Sequence, residues 1–191
     1  MKNKNAYLDI LREELTKAMG CTEPIAISYL SSSLRDLLNA RAERVDIYVS
    51  GNILKNVKSV VVPNTNGMRG IKAAVAIGIV GGDANLKLEC ISRVSEKDIM
   101  ECNKYLNEVE INIFTQDSNF TFDIYMIMKK GNDIVEGRIV DNHTNIVYLK
   151  KNDKVLLEQS LNNVNEVSNL TDHSILNVSD KYIFNNTEKE L

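Results

Sequence analysis

The stretch Gly70-Ile71-Lys72-Ala73-Ala74-Val75-Ala76-Ile77-Gly78-Ile79-Val80 decides how this chain can fold. Apart from Lys72, every side chain in it is small or apolar. A helix of that makeup is stable only where it is enclosed on most sides. It falls well short of the roughly 20 apolar residues that a membrane span needs. Gly81-Gly82-Asp83 stops it. The stretch therefore predicts a central buried helix, and the rest of the chain must supply its cover.

Upstream, Leu8, Leu11, Leu15 and Ala18 recur at helical steps, and Gly20 breaks the pattern. Thr22 can cap a second helix, Pro24 suits its first turn, and Ala26, Leu30, Leu34, Leu37 and Leu38 carry its stripe to about Ala40. Val45, Ile47 and Val49 alternate with polar neighbours as a half-buried strand does, ending at Ser50-Gly51-Asn52. Val60–Val62 reads as a short extended piece, and Cys90 falls in an expected strand. Downstream, Ser95 and Asp98 resemble a capped helix start, with Ile99, Cys102, Tyr105 and Leu106 as its inner face.

After Val109 the texture changes. Ile111–Phe114, Phe120–Met128, Ile134–Val140, Ile146–Leu149 and Val155–Leu157 are β-rich runs separated by turn residues such as Gly131-Asn132-Asp133. The expected fold class is α+β: N-terminal helices and a buried Gly/Ala-rich helix packed on a mostly antiparallel sheet that ends in a β-meander. The expected domain spans residues 1–160. Residues 161–191, rich in Asn, Ser and charged residues, read as a weakly structured tail or a domain junction.

The 191 residues carry 23 basic and 26 acidic side chains, a formal charge of −3. That balance argues against a protein built to grip nucleic acid or an anionic membrane. The N-terminus lacks the apolar core of a signal sequence, and Cys21, Cys90 and Cys102 have no paired spacing, so neither a disulfide framework nor a self-sufficient zinc site is expected. A cytoplasmic location follows as the expectation. The bare apolar faces that Gly70–Val80 would show without full cover lead us to expect self-association.

Cys21 is the most informative position for chemistry. It stands immediately before a helix start, where unpaired N–H groups and the helix dipole favour a thiolate, a better nucleophile or metal ligand than a thiol. Thr22 and Glu23 share the corner and could hold a bound group or a proton. Cysteine is more often just a small buried hydrophobe, and on residue type and location alone that reading leads. Ser50-Gly51-Asn52 with Lys55 forms a second polar corner, and Asn64-Thr65-Asn66-Gly67 a third. Loops of this kind can recognise carboxylates and amines, or simply turn the chain. His143, in Asp141-Asn142-His143-Thr144-Asn145, reads as an acid–base group or as a polar turn residue. No phosphate loop, dinucleotide fingerprint or Schiff-base lysine context is present.

Ala18-Met19-Gly20-Cys21-Thr22-Glu23-Pro24-Ile25-Ala26 resembles the signature of the L-cysteine desulfidase family, relatives of the α chain of iron–sulfur L-serine dehydratase. Val49–Val57, Val62-Pro63-Asn64-Thr65 with Gly70–Ala74, Gly81-Gly82-Asp83, and Gly137–Ile146 resemble that family's further motifs, in order, over residues 5 to 160. The resemblance implies β-elimination from L-cysteine or L-serine without pyridoxal phosphate, giving pyruvate and ammonia, with sulfide from cysteine. It implies a 4Fe–4S cluster in the complete protein, with Cys21 as one metal ligand. Thr22 and Glu23 become candidates for catalysis, and Ser50, Gly51, Asn52, Lys55, Asn64 and Thr65 for binding the small amino-acid substrate. Family members carry their other cluster cysteines in a C-terminal, largely helical half. The resemblance thus makes this chain an N-terminal half, without cluster or activity alone, whose partner is the missing half or another chain. The alternatives are a non-catalytic amino-acid-binding or assembly module and a thiol redox sensor at Cys21.

Overall fold

The computed structural model describes residues 20–161. The helix expected over Leu8–Ala18 and the tail beyond 161 lie outside the described residues. Helix α1 (Thr22–Leu38) leads to strand β1 (Arg44–Val49), helix α2 (Gly51–Val57), helix α3 (Gly70–Gly81), a 3-10 turn (Ala84–Glu89) and helix α4 (Glu96–Glu108). Strands β2 (Glu110–Thr115), β3 (Asp123–Lys130), β4 (Asp133–Val140), β5 (Ile146–Lys151) and β6 (Lys154–Glu158) follow. The architecture is α+β, as the sequence pattern predicts.

The six strands form one sheet in the order β2-β1-β3-β4-β5-β6. Strands β3 to β6 are the antiparallel meander. β1 pairs antiparallel with β3, and parallel with β2, which it reaches through the intervening helices. One face carries Val45, Ile47, Val49, Ile124, Met126, Met128, Val135 and Ile139, all fully buried. The other carries a cross-strand row of Phe114, Tyr48, Tyr125, Arg138 and Tyr148, with Tyr48 stacked on Phe114 at 4.8 Å.

Helix α1 lies on the apolar face. Leu30 and Leu34 press on Gly137 of β4, where an added Cβ would meet both at 3.0 Å. Its opposite flank is serine-rich, and every buried hydroxyl there has a partner. Ser28 donates to Pro24 O at 3.1 Å and to Ala74 O of α3 at 2.8 Å, and Ser31 donates to Ile27 O at 2.7 Å. These small side chains let α3 approach closely. A Cβ on Gly78 would lie 2.4 Å from Ser28 O, a distance only glycine avoids. Arg35 of α1 closes the far end, donating to the Ile79 and Gly82 carbonyls at 3.2 and 2.8 Å, which otherwise lack helical partners.

Helix α3 is the predicted central helix. Every residue from Gly70 to Val80 except Lys72 is buried. The bare face that motivated self-association is therefore covered, and that ground for it is gone. Two local readings are corrected. Cys90 lies not in a strand but after the 3-10 turn, because the Asp83 side chain accepts from Asn85 N at 3.1 Å and Lys87 adopts φ +49°, which curls the chain. Ser50-Gly51-Asn52 is not only a strand end: Ser50 caps α2, a helix too short to show a hydrophobic period. The Ser95–Asp98 capping box is present as expected.

Candidate functional site

The first turn of α1 meets the β4–β5 turn, residues 141–145. The chain enters through Gly20, at φ +152°, where a Cβ would lie 3.2 Å from Pro63 Cγ. The next residue, Cys21, is the extended N-cap of α1 and gives no side-chain cap. Thr22, expected as the cap, is instead the first helical residue. Its hydroxyl is turned away from the helix backbone to His143, with Thr22 Oγ1 and His143 Nε2 2.9 Å apart. The His143 ring packs on Phe122 at 4.5 Å between centroids.

Glu23 completes the corner. The exposed Cys21 thiol donates to Glu23 Oε2 at 2.8 Å, and the Asn56 side chain of α2 lies near enough to help hold this carboxylate low. These contacts set the charges. Partial burial, then the hydrogen bond and charge of Glu23, push the Cys21 thiol up from its usual value. This differs from the expectation of an eased thiolate, because partial burial together with a carboxylate 2.8 Å away outweighs the partial charge of a helix terminus. The same hydrogen bond from Cys21 leads the causes that hold Glu23 low. Burial lowers His143, opposed by Glu23, so the imidazole is neutral at pH 7.

The other predicted site residues have separate duties. Ser50 donates to Thr121 O at 2.7 Å and caps α2 by accepting from Ile53 N at 3.5 Å. Thr65 is 1% exposed and donates to Val62 O at 2.7 Å. Asn64 donates to Ile91 O and Ser92 O at 3.2 and 3.3 Å, clamping its loop. Gly51, Asn52 and Lys55 are exposed on α2. Of these, Asn52 lies one turn before Asn56 and shares the face that reaches Glu23. The structure thus gathers Cys21, Thr22 and Glu23, and adds two residues outside the predicted set, Asn56 and His143. The Asp-Asn-His-Thr-Asn turn held the signal for His143, but a turn's sequence does not say which helix it will touch.

An iron–sulfur cubane needs three or four thiolates. Among the described residues Cys21 alone offers an exposed one; burial pushes Cys90 and Cys102 up to about 12. No group of three His, Cys, Asp or Glu side chains that could hold a metal ion occurs among the described residues. They fit such a cluster as one corner only.

What the fold and the corner define is an α+β layer with a polar, thiol-bearing corner at a helix start. The comparisons with known proteins add kinship. The chain is 44% identical over 173 residues to a UPF0597 protein of Desulfitobacterium hafniense, covering 91% of this chain and 40% of that one. It is 40% identical over 181 residues to a UPF0597 protein of Treponema denticola (95% and 42%), and 41% identical over 177 residues to one of Fusobacterium nucleatum (93% and 41%). The chain spans about two fifths of the length of these curated relatives. No family model and no solved structure matches it. Among the described residues no helix is long and apolar enough to cross a membrane.

Proposed function

We propose that this chain is the N-terminal portion of a pyridoxal-independent iron–sulfur lyase that eliminates the β substituent of L-cysteine or L-serine, working in the cytoplasm. One observation carries the reading: the exposed Cys21 thiol bonds the Glu23 carboxylate at the same helix start where the Thr22 hydroxyl meets the His143 imidazole. That is the donor and proton-transfer set that elimination from a small amino acid requires at one place. Cys21 supplies one thiolate to the cluster, and the remaining ligands come from sequence beyond the described residues. When bound, such a cluster supplies Lewis acidity toward the leaving group.

This chain's own residues do the rest. The Glu23 carboxylate, which has Asn56 of α2 as a neighbour and is released from the Cys21 thiol once that sulfur is a ligand, faces the substrate's ammonium. Asn52, one turn away on α2, offers an amide to its carboxylate. Thr22 and His143 hold the neutral acid–base centre. Alone, without the further ligands, the chain is inactive, and its partner is the remaining part of the longer protein or a second chain.

The test joins this half to its longer counterpart, reconstitutes iron and sulfide without oxygen, and measures pyruvate from L-cysteine and L-serine. Release of pyruvate from either supports the lyase. A protein that assembles its cluster yet releases none contradicts it. Calorimetric binding of L-cysteine by the 191-residue chain, without turnover in the complete protein, would favour the amino-acid-binding module instead.

A further inference from the structure

We propose that the sheet face turned away from α1 is the seat of the rest of the longer protein, which meets it with an apolar surface. The proposal takes up the partner half named above and stands apart from the chemistry placed at Cys21. An antiparallel sheet with one face in water commonly carries polar side chains on that face. Here the outer positions nearest the β4–β5 turn form instead a mostly aromatic row, Phe114, Tyr48, Tyr125, Arg138 and Tyr148, from β2 to β5. Tyr48 lies 4.8 Å from Phe114 and 5.8 Å from Tyr125 between ring centroids. Tyrosine, phenylalanine and arginine are the side chains that gather in interface cores.

Both rims of this face are apolar as well. Phe114 on β2 is 41% exposed, and Val155 on β6, which pairs with Lys150 in the next row, is 45% exposed. These two stand on the outermost strands of the sheet, about 24 Å apart across its width at the usual strand spacing.

The charges between the rims are already spent. Asp123, fully buried, accepts from Arg138 Nε and Nη2 at 2.9 and 2.6 Å. Glu136 accepts from Lys150 Nζ at 3.0 Å and from the Tyr125 hydroxyl. Asp46 accepts from Arg44 Nε at 3.1 Å and from Asn112 Nδ2 at 2.9 Å. A face neutralised from within holds a partner by apolar contact, so the association should survive salt.

Two observations choose the occupant. The relatives contain nearly all of this chain, which spans only 40 to 42% of them, so more than half of each polypeptide lies outside the match. A partner on the same polypeptide meets the face at high effective concentration. The aromatic row also lies at the fitting end of the sheet: Arg138 and Tyr148 flank the β4–β5 turn, whose His143 meets Thr22 of α1. A partner seated on the row borders the Cys21 corner, where the proposed function needs it.

Hydroxyl-radical footprinting read by mass spectrometry tests the surface without any turnover. Phe114, Tyr48, Tyr125 and Tyr148 should react in the 191-residue chain and lose most of that reactivity in the complete protein. Molar salt should leave the protection intact. In the complete protein, Phe114→Lys or Val155→Lys should return reactivity to Tyr48 and Tyr125, with far-ultraviolet circular dichroism as in the parent. Equal reactivity of the row in both proteins overturns the proposal. Protection already present in the 191-residue chain also overturns it, since a second copy or another part of this chain then covers the row; sedimentation tells which. Protection that salt removes contradicts the apolar match. A complete protein that protects the row yet releases no pyruvate keeps the docking surface while the lyase reading fails.

Discussion

Leu30 and Leu34, midway along α1, are fully buried against the sheet, whereas Cys21, one residue before the same helix begins, is exposed. The two regions differ in what fixes them. Midway, glycine and serine let two helices approach to backbone contact, and every polar atom is spent on a neighbour. At the start, the Cys21–Glu23 and Thr22–His143 hydrogen bonds join α1 to the β4–β5 turn, Asn56 of α2 stands near Glu23, and the Cys21 thiol is exposed. The difference teaches how a polar corner is held without being buried: its first turn extends from a helix that cannot shift. Function at the corner should be sensitive to chemistry, and stability to volume at the helix contact.

The largest expected effect breaks the closed region. Gly78→Ala places a methyl 2.4 Å from the Ser28 carbonyl, so the helices must separate. Overpacking of this kind costs about 3 kcal/mol, read as a lowered midpoint in urea unfolding. An unchanged midpoint would mean that α1 and α3 are not in close contact.

Raised pH probes the same interior. Cys90 and Cys102 ionise near 9.0 in an unfolded chain and near about 12 when buried. The folded state holds the neutral thiol, so this contribution is complete below pH 9 and is lost as pH rises toward 12. The urea midpoint should therefore fall across that window. Replacing both cysteines by alanine should flatten the slope while lowering stability overall.

A third experiment sets the two regions side by side. At pH 8, iodoacetamide should label Cys21 and spare Cys90 and Cys102 until the chain unfolds, as counted by mass spectrometry. Labelling of a buried cysteine in the folded chain would contradict the enclosed core. The smallest effect sharpens the corner itself. Glu23→Gln leaves the larger effect of burial but removes the charge that adds to it in holding the Cys21 thiol up, so alkylation at pH 7 should quicken by a few-fold, with stability changed by less than about 1 kcal/mol.

Much of this was legible in the residues. The apolar run Gly70–Val80 could be stable only inside, and the alternating runs after Val109 could only be strands. The Ser95–Asp98 box and the Gly20-Cys21 corner were local signals, and local signals survive folding. What stayed hidden depended on distance in sequence. His143 reads as a turn residue until the meander closes, and Asn56 belongs to a helix too short to announce itself. Ser50, Asn64 and Thr65 show the converse: small polar residues at loops look like ligand groups, yet their hydrogen bonds go to backbone groups nearby or across the fold.

The central claim is that Cys21, held open at the start of α1, is a working ligand and not packing. The direct measurement is Cys21→Ala in the complete, anaerobically reconstituted protein, followed by visible absorbance of the cluster and by pyruvate release. The account predicts that both are lost while far-ultraviolet circular dichroism and the unfolding midpoint stay as in the parent. Retention of cluster absorbance together with pyruvate release would contradict it.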